Sequence, residues 1–463
     1  METANPTPAK EGPALKELPF VRGFPFLGQT LSVLRDPVGW GKRQRALYGD
    51  AFAANLLFQK TAVLTGPEAL ELVLLNKDQS FSTEQAYTRF FGHLTDTSLL
   101  MMDFAVHRKH RQGLNPAFKN EVMKGYLAQM NTAIKDSINS WAGGEQFLFY
   151  PGMKQLTLDV ATSVFLGLPE GKERQIVNAA LTDILASAIA VVRLPLPGTR
   201  WGRGLKAQRK IQALLRSQIP AHRKADGEDV FSRLCRAVDE NGNAFSDDEI
   251  LGHLITFWIA GHDTLASSLS TLVYHLGKNP EWQDKLADEV AALGLEGRAP
   301  TLDDLKALPL CGYAFREALR IMPPAMAVPR GTLKDTSYKG YRIPADMQVS
   351  VNIYAVHHDE TLWPEPEKFD PMRFAPQGTS PKNGGSENDS PENAAANRNR
   401  FAWAPFGGGA HKCIGMVFAE TQAKCFLINL LGKHRIKLAK GYEASIKMLP
   451  TPRPADGLPL QIL

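Results

Sequence analysis

The amino-acid sequence predicts a mainly α-helical chain in which β-structure is confined to small sheets. Three observations carry that expectation. Apolar residues recur at helical spacing over long stretches, among them Met123–Trp141, Leu205–Arg223 and Met416–Leu431. Period-two alternation appears only in short patches, such as Ala51–Leu57 and Lys60–Leu64, the pattern of half-buried strands. The third is a capping box, Ser246-Asp247-Asp248-Glu249, which opens a helix running to about Gly277, near 48 Å at ~1.5 Å per residue.

Composition narrows the classes. At 463 residues the chain has room for two or three average domains, and its 44% hydrophobic and 22% charged residues are ordinary for a globular protein. A net charge of +5 with no long basic run argues against nucleic acid as a partner. Cys235, Cys311, Cys413 and Cys425 lie far apart, without CxxC pairs, which fits a reducing compartment and argues against a disulfide framework. Met1 to Leu18 is rich in Pro, Ala, Lys and Glu and reads as neither signal peptide nor membrane anchor. No apolar run reaches the roughly 18 residues a span needs, so a bacterial-type cytoplasmic setting is expected.

Taken in order, residues 1–17 are expected as a flexible tail, followed by a proline- and glycine-rich segment from Leu18 to Gly28. A hairpin over 51–64 and a helix over Pro67–Leu75 come next. Thr83 to Asp103 contains Tyr87, Phe90 and Phe91 but keeps no steady period, so mostly loop is expected. His107-Arg108-Lys109-His110-Arg111 reads on charge alone as a solvated basic turn, although on a helix His107 and Arg111 share a face. Helical patterns continue over Leu156–Leu166 and Glu173–Val192, and Pro195-Leu196-Pro197-Gly198 breaks the chain before the next helix. The long helix is apolar almost all round at Leu254–Ile259, so it should cross the interior. Gly261 is unfavourable in mid-helix by roughly 1 kcal/mol against alanine, and Thr264 can turn its hydroxyl onto its own backbone.

Asn279-Pro280 opens a further helix. Leu305–Ile321 is expected as one helix, with Glu317 and Arg320 on one face; spacing alone makes them a surface ion pair of little worth. Tyr338–Ile343 and Gln348–Tyr354 are expected as a β-hairpin around Pro344-Ala345-Asp346. Residues 377–400 are polar and rich in Asn, Gly and Ser, the composition of a disordered surface insertion.

The stretch that organises the chain is Phe406-Gly407-Gly408-Gly409-Ala410-His411-Lys412-Cys413-Ile414-Gly415. A lone cysteine is ordinarily a small buried hydrophobe. Here Cys413 stands where a glycine-rich loop becomes the N-terminus of the Met416–Leu431 helix, and backbone N–H groups there favour a thiolate. Such a sulfur suits an axial ligand to haem iron.

With its F-x-x-G-x-x-x-C-x-G spacing this loop resembles the signature of the cytochrome P-450 (haem-thiolate monooxygenase) family. Other family motifs follow in order: His107-x-x-x-Arg111, Ala260-Gly261-His262-Asp263-Thr264, Glu317-x-x-Arg320, Arg330, and Pro371-Met372-Arg373-Phe374, where methionine replaces the usual glutamate. The resemblance covers nearly the whole chain. It implies one domain over 18–463 in the P-450 fold, with haem b between the long helix and the cysteine-loop helix. It makes Cys413 the iron ligand and places Phe406 and Gly415 in the loop around it. His107, Arg111, Arg330 and His411 become propionate partners, with His411 standing where arginine is commoner. Glu317, Arg320 and Arg373 become a structural triad. Asp263 and Thr264 become the catalytic pair that relays protons to bound dioxygen.

A haem monooxygenase of soluble bacterial type, inserting one oxygen atom from O2, is therefore expected. Phe257, Ala260, Ala325, Met326 and Val328 are the pocket candidates, apolar or small, which favours a lipophilic substrate. His411 and the three glycines resemble the retinoid- and sterol-oxidising branch, which implies terpenoid, retinoid, steroid or fatty-acyl substrates. No G-x-G-x-x-G follows a strand, so electrons from NADPH or NADH arrive only through a ferredoxin or flavodoxin and its reductase, with the chain acting as a monomer. Arg108, Lys109 and Lys412 are expected to face outward and steer such an acidic donor. Rival readings are a peroxide-driven peroxygenase or an isomerase on the same fold, both of which often lose the Asp263–Thr264 pair. A non-catalytic haem-binding protein needs no relay. A cysteine hydrolase needs a paired base, which no recognisable spacing provides.

Overall fold

A computed structural model describes residues 14–92, 97–143, 145–169, 171–188, 190, 193–239, 241–376 and 400–463. Helices dominate, and the strands gather into small sheets. The helix Asp247–Lys278 runs through the main apolar core, and its start carries the expected capping box: Ser246 accepts from the Glu249 N–H, and the Glu249 carboxylate accepts from the Ser246 N–H at 2.7 Å. Its apolar surface packs on the helices Phe149–Leu166, Pro309–Ile321 and Met416–Leu431. The buried Trp258 indole donates to Thr162 Oγ1 at 2.9 Å, so the largest side chain of that interface leaves no polar atom unmatched.

The principal sheet orders its strands Phe20–Val21, Ala51–Leu56, Gln59–Leu64, Gln348–Asn352, Ala327–Thr332 and Phe81–Ser82. Gln348–Asn352 thus lies parallel to Gln59–Leu64 and antiparallel to Ala327–Thr332. The expected hairpin between 338–343 and 348–354 does not form. Thr336–Tyr338 instead pairs with Tyr341–Ile343 across Lys339-Gly340, whose φ values of 47° and 80° suit a two-residue turn that reverses the chain before Pro344. Lys16–Glu17 adds to that hairpin beside Tyr341–Arg342, which shortens the expected tail.

Other boundaries move for local reasons. Thr83–Phe91 is a helix rather than loop, because Ser82 Oγ accepts from the Gln85 N–H at 2.9 Å and caps it. Pro309 starts a new helix, Pro309–Ile321, separate from Leu302–Lys306, since a proline in mid-helix would remove a bond and clash. The helix expected from Leu156 begins at Phe149, with Pro151 in the tolerated first turn. The helix expected over Glu173–Val192 is observed as Lys172–Ala188, and Val192 lies outside the described residues, as do residues 1–13 and 377–399.

Glu317 and Arg320 are not on the surface: both side chains are fully buried and joined by two bonds, at 2.7 and 2.9 Å. The Arg320 guanidinium also donates to the carbonyls of His357 at 2.9 Å and Pro366 at 2.7 Å, and Arg373 Nε lies 3.3 Å from Glu317. His357 accepts from the Ala404 N–H at 3.0 Å, which fixes its other ring nitrogen, 3.1 Å from the Arg320 carbonyl, as the donor.

Three histidines, His357 and His253 buried and His275 half-buried, make folding sensitive to acid. Burial lowers His357 to about 3 and His275 to about 4, with Arg320 adding to both, and burial beside His110 lowers His253 to about 3. Between pH 6.5 and 4 the unfolded chain binds protons at these residues and the native chain does not. Their contribution is therefore complete above the ordinary histidine pKa and lost as pH falls, at about 2 kcal/mol each by pH 5. Urea midpoints should drop steeply between pH 7 and 5; a flat profile would contradict their neutral burial.

Candidate functional site

The cysteine loop is shaped by close approach to the helix Pro67–Leu75. A Cβ at Gly409 would lie 2.0 Å from the Leu74 carbonyl oxygen, and Gly409 has φ +62°. A Cβ on Gly408 would lie 2.9 Å from the Phe401 ring. The loop is closed by the Cys413 N–H donating to the Phe406 carbonyl at 2.9 Å, and Phe406 packs edge-on against Trp403. Protein surrounds Cys413, yet the residue itself is exposed. Burial pushes its pKa up, and the Gly415 N–H, Arg111 and Lys412 pull it back. A thiolate here needs a further positive partner.

Arg111 and His107 come from the helix Phe104–Leu114. Arg111 donates to the Lys412 carbonyl at 2.7 Å and to Asn115 Oδ1 at 3.1 Å. The rings of His107 and His411 lie 3.8 Å apart. Burial, then Arg111, lowers His107 to about 4; burial, then His107, Arg330 and Arg111, lowers His411 to about 3. Arg330 is buried on its strand, donates to Pro329 O at 2.7 Å and hydrogen-bonds the Tyr87 side chain. These basic groups depress one another, and the carboxylate that faces them is Asp103, 3.9 Å from His411. Asp103 is itself engaged by Ser82 Oγ at 2.5 Å and the Thr83 N–H at 2.8 Å. Tyr87 and Asp103 were missed as site residues, since a tyrosine and an aspartate outside any recognisable spacing carry no signal in sequence.

On the long helix the motif divides between two faces. Ala260 and Thr264, one turn apart, are exposed although their neighbours Phe257, Trp258, Leu265 and Ala266 are buried. Thr264 Oγ1 donates to the Ala260 carbonyl at 2.6 Å. Asp263 points elsewhere, with Lys154 Nζ 3.0 Å and His262 Nε2 3.6 Å from its Oδ1. The expected catalytic pair thus diverges in this arrangement. Of the pocket candidates, Ala325 is exposed, Val328 is buried in the sheet, and Phe257 packs edge-on against Phe118. Met326 lines a separate cleft with Arg45, Phe52, Asn352 and His358. Lys109 is held 2.9 Å from Asp239, which leaves Arg108 as the exposed cation of that pair.

The family model for cytochrome P450 matches residues 19–452. The chain belongs to the cytochrome P450 family. It is 32% identical to a putative cytochrome P450 136 of Mycobacterium tuberculosis over 99% of this chain and 90% of that protein. It is 29% identical to cyclooctat-9-en-7-ol 5-monooxygenase of Streptomyces melanosporofaciens, over 94% of each. A solved structure, retinoic acid-bound cyanobacterial CYP120A1, superposes with a TM-score of 0.86 at 27% identity, covering 97% of this chain and all of that one.

As a cytochrome P450 the chain is a haem-dependent monooxygenase, an oxidoreductase whose cofactor is haem b and whose electrons come from NAD(P)H through partner proteins. The site fits that group on its own chemistry. Burial raises the thiol in spite of Arg111 and Lys412, and among the described residues Asp103 is the carboxylate set against two arginines and two histidines; iron would give the sulfur a further cation and two propionates would give the cluster further anions.

The loop contact is testable. Gly409→Ala must displace either the loop or the Leu74 carbonyl and should lower haem per chain severalfold. Gly407→Ala meets open space and bears only a left-handed φ, a cost of about 1–2 kcal/mol. Its haem content should stay near wild type. Equal haem content in the two variants would show that the Leu74 contact does not shape the loop.

Proposed function

We propose that this cytochrome P450 hydroxylates an unactivated C–H bond of a lipophilic, terpenoid- or retinoid-like molecule, with Cys413 holding the haem iron. The observation that carries the reading is the Cys413 thiol, kept open inside packed protein and backed by the Gly415 N–H and Arg111. Bound there, haem b supplies the reductive activation of O2. Phe406 and Gly415 shape the sulfur's surroundings, and Arg111, Arg330, His107 and His411 hold the propionates. Anionic propionates there would offset the arginine charge that, after burial, lowers the two histidines.

The long helix divides the remaining work. Ala260 leaves room for substrate, and the exposed Ala325 presents apolar surface, with Val328 buried in the sheet behind it. Thr264, on leaving the Ala260 carbonyl, turns its hydroxyl toward the open face and holds a proton at Oγ1. Asp263 is paired with the partly exposed Lys154 and has to turn from that partner to pass protons from solvent to Thr264. The apolar lining supports a greasy substrate, and so do a monooxygenase relative named for cyclooctat-9-en-7-ol and a neighbour solved with retinoic acid. Electrons enter from a ferredoxin or flavodoxin with its reductase, in the cytoplasm, and Arg108 beside the His107 helix face offers an exposed cation for docking.

Cys413→Ser should keep the far-ultraviolet circular dichroism of the wild type and lose the thiolate-type absorbance of the reduced CO adduct, along with all product. An unchanged reduced-CO spectrum would remove Cys413 from the iron.

Thr264→Ala should bind substrate with the wild-type spin-state shift but form less product per NADPH consumed, roughly 10-fold or more below wild type for a lost proton donor. Product driven equally well by peroxide in both proteins would favour the peroxygenase reading. Unaltered coupling would leave Thr264 with only its bond to Ala260.

A further inference from the structure

Two neighbouring loop tips project large apolar side chains into solvent on unusually rigid backbone. In the first, the Phe24 N–H donates to the Gly28 carbonyl at 3.0 Å and the Gly28 N–H returns to Phe24 at 2.8 Å. Gly23 and Gly28 cannot carry side chains there: a Cβ on Gly23 would lie 2.4 Å from Gly28, and one on Gly28 would lie 2.2 Å from the Asn55 carbonyl. At the tip Phe26 has φ 60° and is 91% exposed, and Phe24 is 64% exposed. The second tip joins the strands Ala51–Leu56 and Gln59–Leu64 through Leu57 and Phe58, with φ 49° and 66°. Turns of this geometry ordinarily use Asn and Gly, and bulky residues there are strained. Phe58 is nevertheless 56% exposed.

The tips form one unit. The Gln29 N–H donates to Asn55 O at 2.9 Å, and the Leu57 N–H donates to Thr30 Oγ1 at 2.9 Å. Beside them the short helix Thr30–Arg35 exposes Leu31 and Leu34, and Phe20 lies exposed under the Lys60 ammonium. Neither Leu18–Arg35 nor Ala51–Leu64 contains a carboxylate, and both carry exposed cations: Arg22, Arg35 and Lys60. No core contact explains strained phenylalanines pointing outward, whereas strain commonly marks functional loops. A second copy docked tip to tip would set these cations against themselves. Aromatic tips ringed by basic residues instead match a bilayer whose headgroups are anionic and whose interior is apolar.

We propose that the Phe24–Phe26 and Leu57–Phe58 tips are an interfacial anchor that seats this protein on anionic lipid surfaces. Among the described residues no helix is long and apolar enough to cross a membrane. The anchor does not depend on which residues serve the haem.

The test is flotation of the full-length haem-loaded protein with vesicles of phosphatidylcholine, with or without phosphatidylglycerol. Wild type should float with the anionic vesicles, and less so as salt rises. Phe26→Asn with Phe58→Asn places a residue that tolerates positive φ at both sites, so the variant should fold with wild-type haem content and reduced-CO spectrum. Its partition onto anionic vesicles should fall at least about tenfold, and Arg35→Glu with Lys60→Glu should abolish the preference for them. Failure of wild type to float, or equal flotation of the asparagine variant, would overturn the proposal. So would concentration-dependent dimerisation, by light scattering, that disappears in the asparagine variant, since it would assign the tips to a second copy.

Discussion

The fold depends on one buried ion pair. Glu317 and Arg320 sit at zero exposure in the core, where two charges are expensive to desolvate and only complete bonding offsets that cost. Burial alone raises the Glu317 pKa in spite of Arg320 and Arg373, so desolvation outweighs the direct attraction. The compensation comes from reach. Arg320 satisfies carbonyls at His357 and Pro366, and Glu317 accepts from the Asp370 N–H at 3.0 Å. Removing one partner would strand the other at a cost of about 3–5 kcal/mol, whereas the pair as a unit contributes little net stability. Its role is to specify which chain segments meet.

Those segments lead to the site. His357 carries the constraint from the Arg320 carbonyl to the Ala404 N–H, and the Gly407 N–H then donates to the Ala404 carbonyl at 3.0 Å. Trp403 adds a second tie through its indole to the Arg316 carbonyl at 3.4 Å. The glycine loop is thus anchored from behind by the helix Pro309–Ile321 and pressed in front against Leu74. A loop held on both sides can keep its cysteine turned toward open space instead of collapsing into the core, as the other three cysteines have done.

Much of this was legible because it is local. The capping box at Ser246, the helix Pro67–Leu75 and the hairpin strands of 51–64 depend on neighbours in sequence, and they appear where pattern and capping chemistry put them. The order of family motifs indicated the fold and the haem. What escaped was chosen by distant contacts. Gln348–Asn352 prefers Gln59–Leu64 and Ala327–Thr332 to its nearest neighbour, and Lys109 finds Asp239; no local pattern encodes either choice. Tyr87 and Asp103 reach the basic cluster only because the Thr83–Phe91 helix and the turn before Phe104 fold over it. The Ser82 cap that would have revealed that helix lay hidden in a stretch without steady apolar period.

The long helix shows how a motif with one function in sequence divides in space. Gly261 is unfavourable inside a helix, and the reason it stands there is packing: a Cβ would lie 2.7 Å from the Phe165 ring on the helix Phe149–Leu166. That close approach brings Thr157 to His262, with Oγ1 and Nδ1 3.1 Å apart, and sets Lys154 beside Asp263. Thr157 Oγ1 also lies 3.0 Å from the Met153 carbonyl, which can only accept. On its other side the His262 ring brings Nε2 to 3.6 Å from Asp263 Oδ1. Burial lowers His262 to about 4, so the ring stays neutral, and Lys154 is the cation beside Asp263, 3.0 Å away. The glycine, by admitting Phe165, therefore orients a carboxylate that it never touches, while Thr264, bonded to the Ala260 carbonyl, lies on the adjacent, exposed face of the helix.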